Sequence, residues 1–390
     1  MKRIAIFNPE HDMALANGDS HFIAPRNIRE MGHDLAPLLE FVEGDNLLVW
    51  GWDYAIKNHL LRMGVAAERL PSDEALTTLR QRSGRASAHH LLTAFLSVHS
   101  MGTYAGESIL VHDIDEVLPY AAQHGHIILK DPFSSSGKGL RHVKSYPNPP
   151  CEGGSTDIAS SQVLPYREDL GGSVHSWANA LIRRHGYLTA EPYYNKMQDF
   201  AMEFRADGDG CHFIGYSYFN TNTHGRYESN LLASDKRIES LLAQYIPIES
   251  LHRVQTWVVE HAAYIIPAEW DTTKHPLYFG IDMMIVKTTA HRQRSGKHSE
   301  FRLHPCIEIN LRLNMGIVAH EVRRKLLSPD TEGTFHVTAF PTTEALQTFQ
   351  AEQLQQHPAT YHEGRVVSGY HPLTPIHPET RHHAYIIAVK

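Results

Sequence analysis

Cysteine is scarce: three residues in 390, at Cys151, Cys211 and Cys306. They are odd in number, widely spaced and form no C-x-x-C, so no disulfide framework is expected and a reducing compartment is implied. No stretch approaches the ~18 apolar residues of a membrane span. The apolar run in the opening "MKRIAIFNPEHD" is too short for a secretory signal, so the expected location is the cytoplasm, with no membrane partner. Basic residues are not in excess, since the formal net charge is −7. Without a basic block carrying interleaved aromatics, no nucleic-acid partner is expected. Histidine is plentiful, with 29 residues. Yet H-E-x-x-H is missing and the densest tract, "YHPLTPIHPETRHH", is broken by prolines, so no zinc site is expected. No internal repeat is present. What remains, 42% hydrophobic and 20% charged, is the composition of a globular chain long enough for two or three domains.

The patterning alternates. "RIAIF" and "NLLVWGW" read as strands, with helical segments "APLLEFV" and "AIKNHLLRMG" around the second. This predicts a small doubly wound unit over about the first eighty residues. "SGRASAHHLLTAFLSVHSMG" predicts a helix starting at Ser83 or Ser87 and closing at Gly102. "SILVHDIDEVLPYAAQHG" predicts a strand and a helix, and "HIILK" the next strand. The Pro/Gly/Ser-rich "SYPNPPCEGGSTDIASS" predicts an exposed loop. "SVHSWANALIRRHG" is helical, and the rest reads mainly as antiparallel strands: "YLTAEPYY", "DFAMEFRAD", "CHFIGYSYF", "YFGIDMMIV" and "PCIEINLRL". The helix "IESLHRVQTWVVEHAAYII" lies among them.

The stretch "ILKDPFSSSGKGLRHV" carries the first chemical signal. It is not a P-loop, because Gly139 follows Lys138 where a hydroxyl is required, and Phe133 stands where the first glycine belongs. It nonetheless places a cation, Lys130, at the exit of a strand. The following Ser134, Ser135, Ser136, Gly137, Lys138 and Gly139 have little side-chain bulk, so backbone amides can approach an anion closely. An ordinary flexible hairpin turn is the competing account.

A second signal lies in "FGIDMMIV" and "HPCIEINLRLNMG". Asp282 interrupts an apolar strand. Glu308, Asn310 and Arg312 alternate with Ile309 and Leu311, which puts the three polar groups on one face. Burying such groups without partners costs several kcal/mol, whereas oxygen ligands converging from adjacent strands suit magnesium bound to a polyphosphate; an amphipathic sheet whose polar face meets water is the competing account.

In order and motif, strand-Lys, Gly/Ser loop, strand-Asp and E-x-N-x-R over about Arg82–Gly316 resemble the ATP-grasp superfamily, which includes D-alanine–D-alanine ligase and biotin carboxylase. The resemblance implies an α/β (α+β) ATP-grasp fold with a Rossmann-like domain over residues 1–81. A small subdomain with the phosphate loop follows over 82–190, and a C-terminal subdomain with the Mg²⁺ site over 191–390. It implies ATP and Mg²⁺ as cofactors. Lys130 is then placed on the α-phosphate side, the loop Ser134–Gly139 over the β- and γ-phosphates, and Arg85 where a lysine often contacts ATP. Glu191 starts the hinge framing the adenine and Asp199 reaches the ribose hydroxyls. Asp282, Glu308 and Asn310 become the metal ligands, and Arg312, with Lys130, a catalytic group facing the reacting acyl. Two departures stand out: Arg85 replaces the usual lysine, and the insert "KTTAHRQRSGKHSE" separates Asp282 from Glu308.

Such a site implies a carboxylate–amine (or carboxylate–thiol) ligase acting through an acyl phosphate. Its partners are a small-molecule carboxylate and an amine, with a homodimer left open. Kinase-like phosphoryl transfer and a non-catalytic nucleotide-binding protein are the rivals. The loop is expected to be mobile until nucleotide orders it. In "NPEHDMALANGD", one account makes Asn8 a helix N-cap with Pro9 in the first turn. Another uses the position after the first strand, where α/β proteins bind ligands: His11 and Asp12 hold a polar or cationic substrate group and Arg312 its carboxylate.

Overall fold

The structure, a computed structural model, describes residues 3–44, 46–99, 102–134, 139–145, 171–221, 227–288 and 300–389. The first two apolar runs form short strands, β1 (Ile4–Ile6) and β2 (Leu47–Val49), paired in parallel with Ile4 opposite Leu47. Helices α1 (His11–Asn17) and α2 (Arg26–Leu35) lie between them. After β2 come α3 (Tyr54–Arg62) and α4 (Asp73–Arg82). Each is started by a side-chain cap, Asp53 accepting from the Ile56 N–H and Ser72 from that of Ala75. "APLLEFV" forms only a short 3₁₀ helix over Ala36–Glu40.

Helix α5 (Arg85–Val98) begins between the two serines expected to start it, Ser83 and Ser87. Gly84 holds the cap position, and Ser83 instead closes α4, its hydroxyl donating to the Leu79 carbonyl. Sterics decide this: a Cβ at Gly84 would lie 2.5 Å from the Tyr187 hydroxyl.

A four-stranded antiparallel sheet follows, in the order β3-β6-β4-β5. Its elements are β3 (Ile109–Val111), α6 (Val117–His124), β4 (His126–Lys130), β5 (Leu140–Lys144), α7 (Gly171–His185) and β6 (Leu188–Pro192). Val111, Val117, Ile127, Leu129, Ala178 and Leu188 give it a core of its own. Residues 146–170, where the Pro/Gly/Ser-rich loop was expected, lie outside the described residues.

The remaining chain builds a nine-stranded antiparallel sheet in the order β11-β10-β7-β8-β9-β12-β15-β14-β13. It runs through β7 (Lys196–Asp207), β8 (Gly210–Thr221), β9 (Tyr227–Leu232), α8 (Asp235–Leu242), α9 (Ile248–Glu260), β10 (Leu277–Lys287) and β11 (Phe301–Asn310). Then come α10 (Met315–Leu326), β12 (Glu332–Ala339), α11 (Thr343–Gln356), β13 (Thr360–His362), β14 (Arg365–Pro372) and β15 (His382–Val389). Alternation sets its buried face: Phe200, Met202 and Phe204 of β7 pack with Phe279, Ile281 and Met283 of β10, the Phe204 and Phe279 rings stacking at 5.1 Å. The same cluster takes in Trp52, Leu60 and Leu76 from the first eighty residues and Trp257 of α9.

The class is thus α+β. The expected division between residues 190 and 191 falls inside β6, and that between 81 and 82 inside the last turn of α4. No helix among the described residues is long and apolar enough to cross a membrane.

Candidate active site

Register places the polar face of the large sheet. On β7, β10 and β11, Glu203 pairs with Gly280 and Gly280 with Asn310; Ala201 pairs with Asp282 and Asp282 with Glu308; Asp199 pairs with Met284 and Met284 with His304. Asp282 and Glu308 are therefore direct cross-strand neighbours despite the insert between their strands. Just beyond them the ladder slips, between Asp282 and Met284, where Pro305 has no N–H to donate. Ile281, Met283 and Ile309 point into the core, so the carboxylates on the other parity must face the cleft.

Crowded acids raise one another's affinity for protons. Burial pushes the Asp282 carboxyl up to about 7, and the charges of Glu308 and Asp199 add to the effect. The Arg312 guanidinium and a hydrogen bond from Asn310 oppose it. Glu203, which the sequence reading passed over, is driven up to about 8, first by burial and then by Asp282. Its partner is the N-cap residue of α10: Asn314 Nδ2 donates to Glu203 Oε2 at 2.7 Å while Asn314 Oδ1 accepts from the Ile317 N–H. The signal for Glu203 lay in "DFAMEF", where it shares parity with Asp199.

Gly280 makes that carboxyl's position available. A Cβ there would lie 2.4 Å from both Glu203 Oε2 and Asn314 Nδ2. Gly280→Ala is therefore expected to cost about 1–3 kcal/mol by overpacking, read as a lower urea midpoint. An unchanged midpoint would place the Glu203 carboxylate elsewhere.

Glu203 also sets a pH dependence. A carboxyl whose folded-state pKa lies above its unfolded value holds more protons when folded. Its contribution is complete below about 4.5, the unfolded value, and is lost as pH rises through about 8. Melting temperature should fall over that window, and Glu203→Gln, which mimics the protonated form, should flatten the fall. A variant whose profile runs parallel to wild type would remove Glu203 as its source.

Across the cleft, Lys130 ends β4 and Glu191 sits in β6; both are buried, with Nζ 2.5 Å from Oε2. Arg85 ties this side to the face that carries Asp282 and Glu308. Its Nε donates to the Asp131 carbonyl and its Nη2 to that of Ser134, both at 3.0 Å, and Nη2 lies 3.1 Å from Glu308 Oε1. The start and end of the loop close on themselves: the Asp131 N–H donates to the Gly139 carbonyl at 2.9 Å. A Cβ at Gly139 would lie 2.2 Å from that of Ser134, so only glycine fits. Ser135, Ser136, Gly137 and Lys138, with the mobility expected of them, lie outside the described residues. Asp199 forms an ion pair with Lys196. His304, next to Tyr194 in the same cleft, is fully buried and pushed down to about 4 by that burial, which keeps it neutral.

The N-terminal segment departs from its simple helix-start account. The helix begins at His11 behind Glu10, and the Asn8 side chain caps nothing. Asn8 is buried instead, donating to the Gly51 carbonyl at 2.8 Å and accepting from the Gly51 N–H at 3.2 Å, which fixes the exit of β2. His11 is buried with Nδ1 3.3 Å from Asp53 Oδ2. Asp12 meets Arg312 in a two-pronged ion pair, Nε to Oδ1 at 3.1 Å and Nη2 to Oδ2 at 2.9 Å. Arg312 also donates to Asn310 Oδ1 at 3.0 Å and to the Leu313 carbonyl at 3.1 Å. Asp12 thus holds Arg312 itself, and most of the guanidinium's donors are spoken for within the chain.

Among the described residues no three His, Cys, Asp or Glu side chains form a complete metal cage. Two carboxylates and one amide oxygen, with excess negative charge between them, form a partial set. Mg²⁺ is usually bound this way, by one or two carboxylates plus phosphate oxygens and water.

No family profile matches the chain. No curated protein matches it either. Solved structures do align with it. Biotin carboxylase from Campylobacter jejuni is 13% identical, with 92% of this chain and 74% of that one covered and a TM-score of 0.48. N5-carboxyaminoimidazole synthase from Aspergillus clavatus, in complex with ADP and a 5-aminoimidazole ribonucleotide, is 12% identical, with 90% and 81% covered and a TM-score of 0.46. The corresponding synthetase from Staphylococcus aureus is also 12% identical, with 79% and 67% covered and a TM-score of 0.41.

Proposed function

We propose that the chain is an ATP-grasp enzyme that binds Mg·ATP between its two antiparallel sheets and activates a small carboxylate for attack by an amine. The observation carrying this reading is the direct cross-strand pairing of Asp282 with Glu308, which sets two carboxylates side by side on the polar face of the large sheet next to Asn310. In this reading residues 1–81 contribute to the non-nucleotide substrate's pocket, 82–190 form the small subdomain and 191–390 the subdomain carrying the metal ligands.

Each residue then has a task. Asp282, Glu308 and Asn310 hold Mg²⁺, which when bound neutralises charge on the transferring phosphoryl group. Lys130, oriented by Glu191, donates to the nucleotide's phosphate oxygens. Arg85 anchors the start of the loop Ser134–Gly139 to Glu308, so the loop and the metal ligands stay in register. Asp199 takes the ribose hydroxyls. Asp12 keeps the Arg312 guanidinium beside Asn310, ready to stabilise charge growing on the acyl oxygen. His11, with Asp53 behind it, lies on the side assigned to the non-nucleotide substrate.

The deciding experiment is an ADP-release screen over amino acids and small carboxylates with amine acceptors. ADP formation that requires both substrates supports ligation. Release dependent on one hydroxylated substrate alone would point to kinase chemistry instead. No Mg·ATP-induced rise in melting temperature at saturating nucleotide would overturn nucleotide binding altogether.

Asp12→Asn tests the role of the Arg312 pair. It removes the charge that holds Arg312 while keeping an acceptor. The expected result is a drop in turnover of roughly tenfold with little change in KM for ATP. A rise in KM for ATP alone would move Arg312 to the nucleotide.

A further inference from the structure

A second cleft, of about 580 Å³, lies behind the phosphate loop. One wall comes from the last turn of α4 and the exposed side of α5, with Arg80, Arg82 and His90. The other comes from the small sheet: Phe133 of the loop, Arg184 and His185 at the end of α7, and Tyr187 ahead of β6.

Charge in this cleft is unbalanced. Among the described residues no carboxylate stands within ion-pairing distance of Arg80, Arg82 or Arg184, so the three guanidinium charges that line this one cleft are not neutralised within the chain. Arg80 donates through Nε to the Leu15 carbonyl, and its guanidinium carbon stands 5.0 Å from the Phe133 ring centroid. Arg82 donates through Nη1 to the Tyr264 carbonyl at 3.0 Å. Both contacts use part of a five-donor fork and neutralise nothing. Glu269 on the rim and Asp131 beneath the loop are the acids nearby.

Three guanidinium groups facing one cleft from two substructures repel each other unless something anionic stands between them. Guanidinium forks match the oxygen spacing of phosphate groups. We propose that this cleft is a second anion site, separate from the nucleotide cleft, which takes a phosphorylated ligand bridged between Arg80 and Arg82 on one wall and Arg184 on the other. The ligand pins the small sheet to α4. Because Phe133 forms part of the cleft and Arg85 grips the next carbonyl, at Ser134, occupancy steadies the entrance to the phosphate loop.

Inorganic pyrophosphate is the probe, titrated calorimetrically at fixed ionic strength. The expected result is binding that Arg184→Glu and Arg82→Glu each weaken by on the order of tenfold or more. Glu308→Gln, which alters the nucleotide cleft, should leave it intact. Amides of Phe133 and Tyr187 should gain protection from hydrogen exchange when pyrophosphate is added. Arg184 is exposed, so its reversal leaves the fold in place. Pyrophosphate binding that survives both reversals, that is lost in Glu308→Gln, or that never occurs at millimolar probe overturns the proposal. A preference for citrate over pyrophosphate overturns the phosphate class. The site is independent of the ligase reading: a chain that releases no ADP but shows this pattern retains it.

Discussion

Replacing Lys130 by methionine is expected to destabilise the protein by about 3–5 kcal/mol, because it strands the Glu191 carboxylate in the protein interior. The two side chains are 6% and 10% exposed, so water cannot take over either charge. Their geometry is fixed by the sheet. Ile128 stands opposite Glu191 and Lys130 opposite Thr189, which makes Lys130 and Glu191 diagonal neighbours on adjacent strands. The pair itself is a different matter from its halves. Removing both charges, as in Lys130→Met with Glu191→Leu, exchanges two desolvated ions for apolar groups and should return stability to within about 1–2 kcal/mol of wild type, or above it. Urea unfolding of the single and double variants measures both quantities. A single variant costing under ~1 kcal/mol would mean that the cleft admits water to Glu191 and that the pair is not closed. If the single is costly and the double is not, the pair is kept for what Lys130 does at the site and not for stability.

That distinction bears on what the sequence could reveal. Strands with a clear period of two were legible: β4, β7, β10 and β11 all lie where their apolar runs put them, and alternation alone placed Glu308 and Asn310 on one face. Pairing across the insert was not legible, because register is a property of two strands and the intervening residues carry no signal for it. Helix starts failed where a tertiary contact outranked a local cap. Serine is the better capping residue, but the Tyr187 hydroxyl leaves room only for Gly84. The same competition moved Asn8 from a cap to the buried turn at Gly51. Partners of charged residues were the least visible. Nothing in "NPEHD" says that Asp12 meets Arg312, 300 residues later, and nothing near Arg85 says that it joins the loop to Glu308. The small parallel unit was overdrawn: among the described residues it has two strands, and its helices share their core with the large sheet.

Glu308→Gln should abolish ADP release, lowering turnover by on the order of 10²–10³, while the fold gains or keeps its stability. The substitution is isosteric, and the glutamine oxygen still accepts from Arg85, which stands 3.1 Å from it. What changes is charge. Asp282, the direct cross-strand partner, is pushed up to about 7 by burial and then by Glu308. Taking away the Glu308 charge relieves that repulsion, so the Asp282 carboxyl should titrate at lower pH and the melting temperature near pH 8 should rise or hold. A catalytic loss paired with unchanged or improved stability separates a group kept for its charge from one kept for packing. The two readouts also fail differently. If turnover disappears along with the fold, Glu308 is chiefly the anchor of Arg85 and of the loop start at Ser134. If turnover stays near wild type while Asp282 titrates lower, the carboxylate pair exists as described but is not the place where charge on the phosphoryl group is met. Only loss of turnover with the fold intact and Asp282 relaxed assigns to Glu308 the role of a metal ligand, since that outcome requires its negative charge to be costly in the free protein and needed in the reacting one.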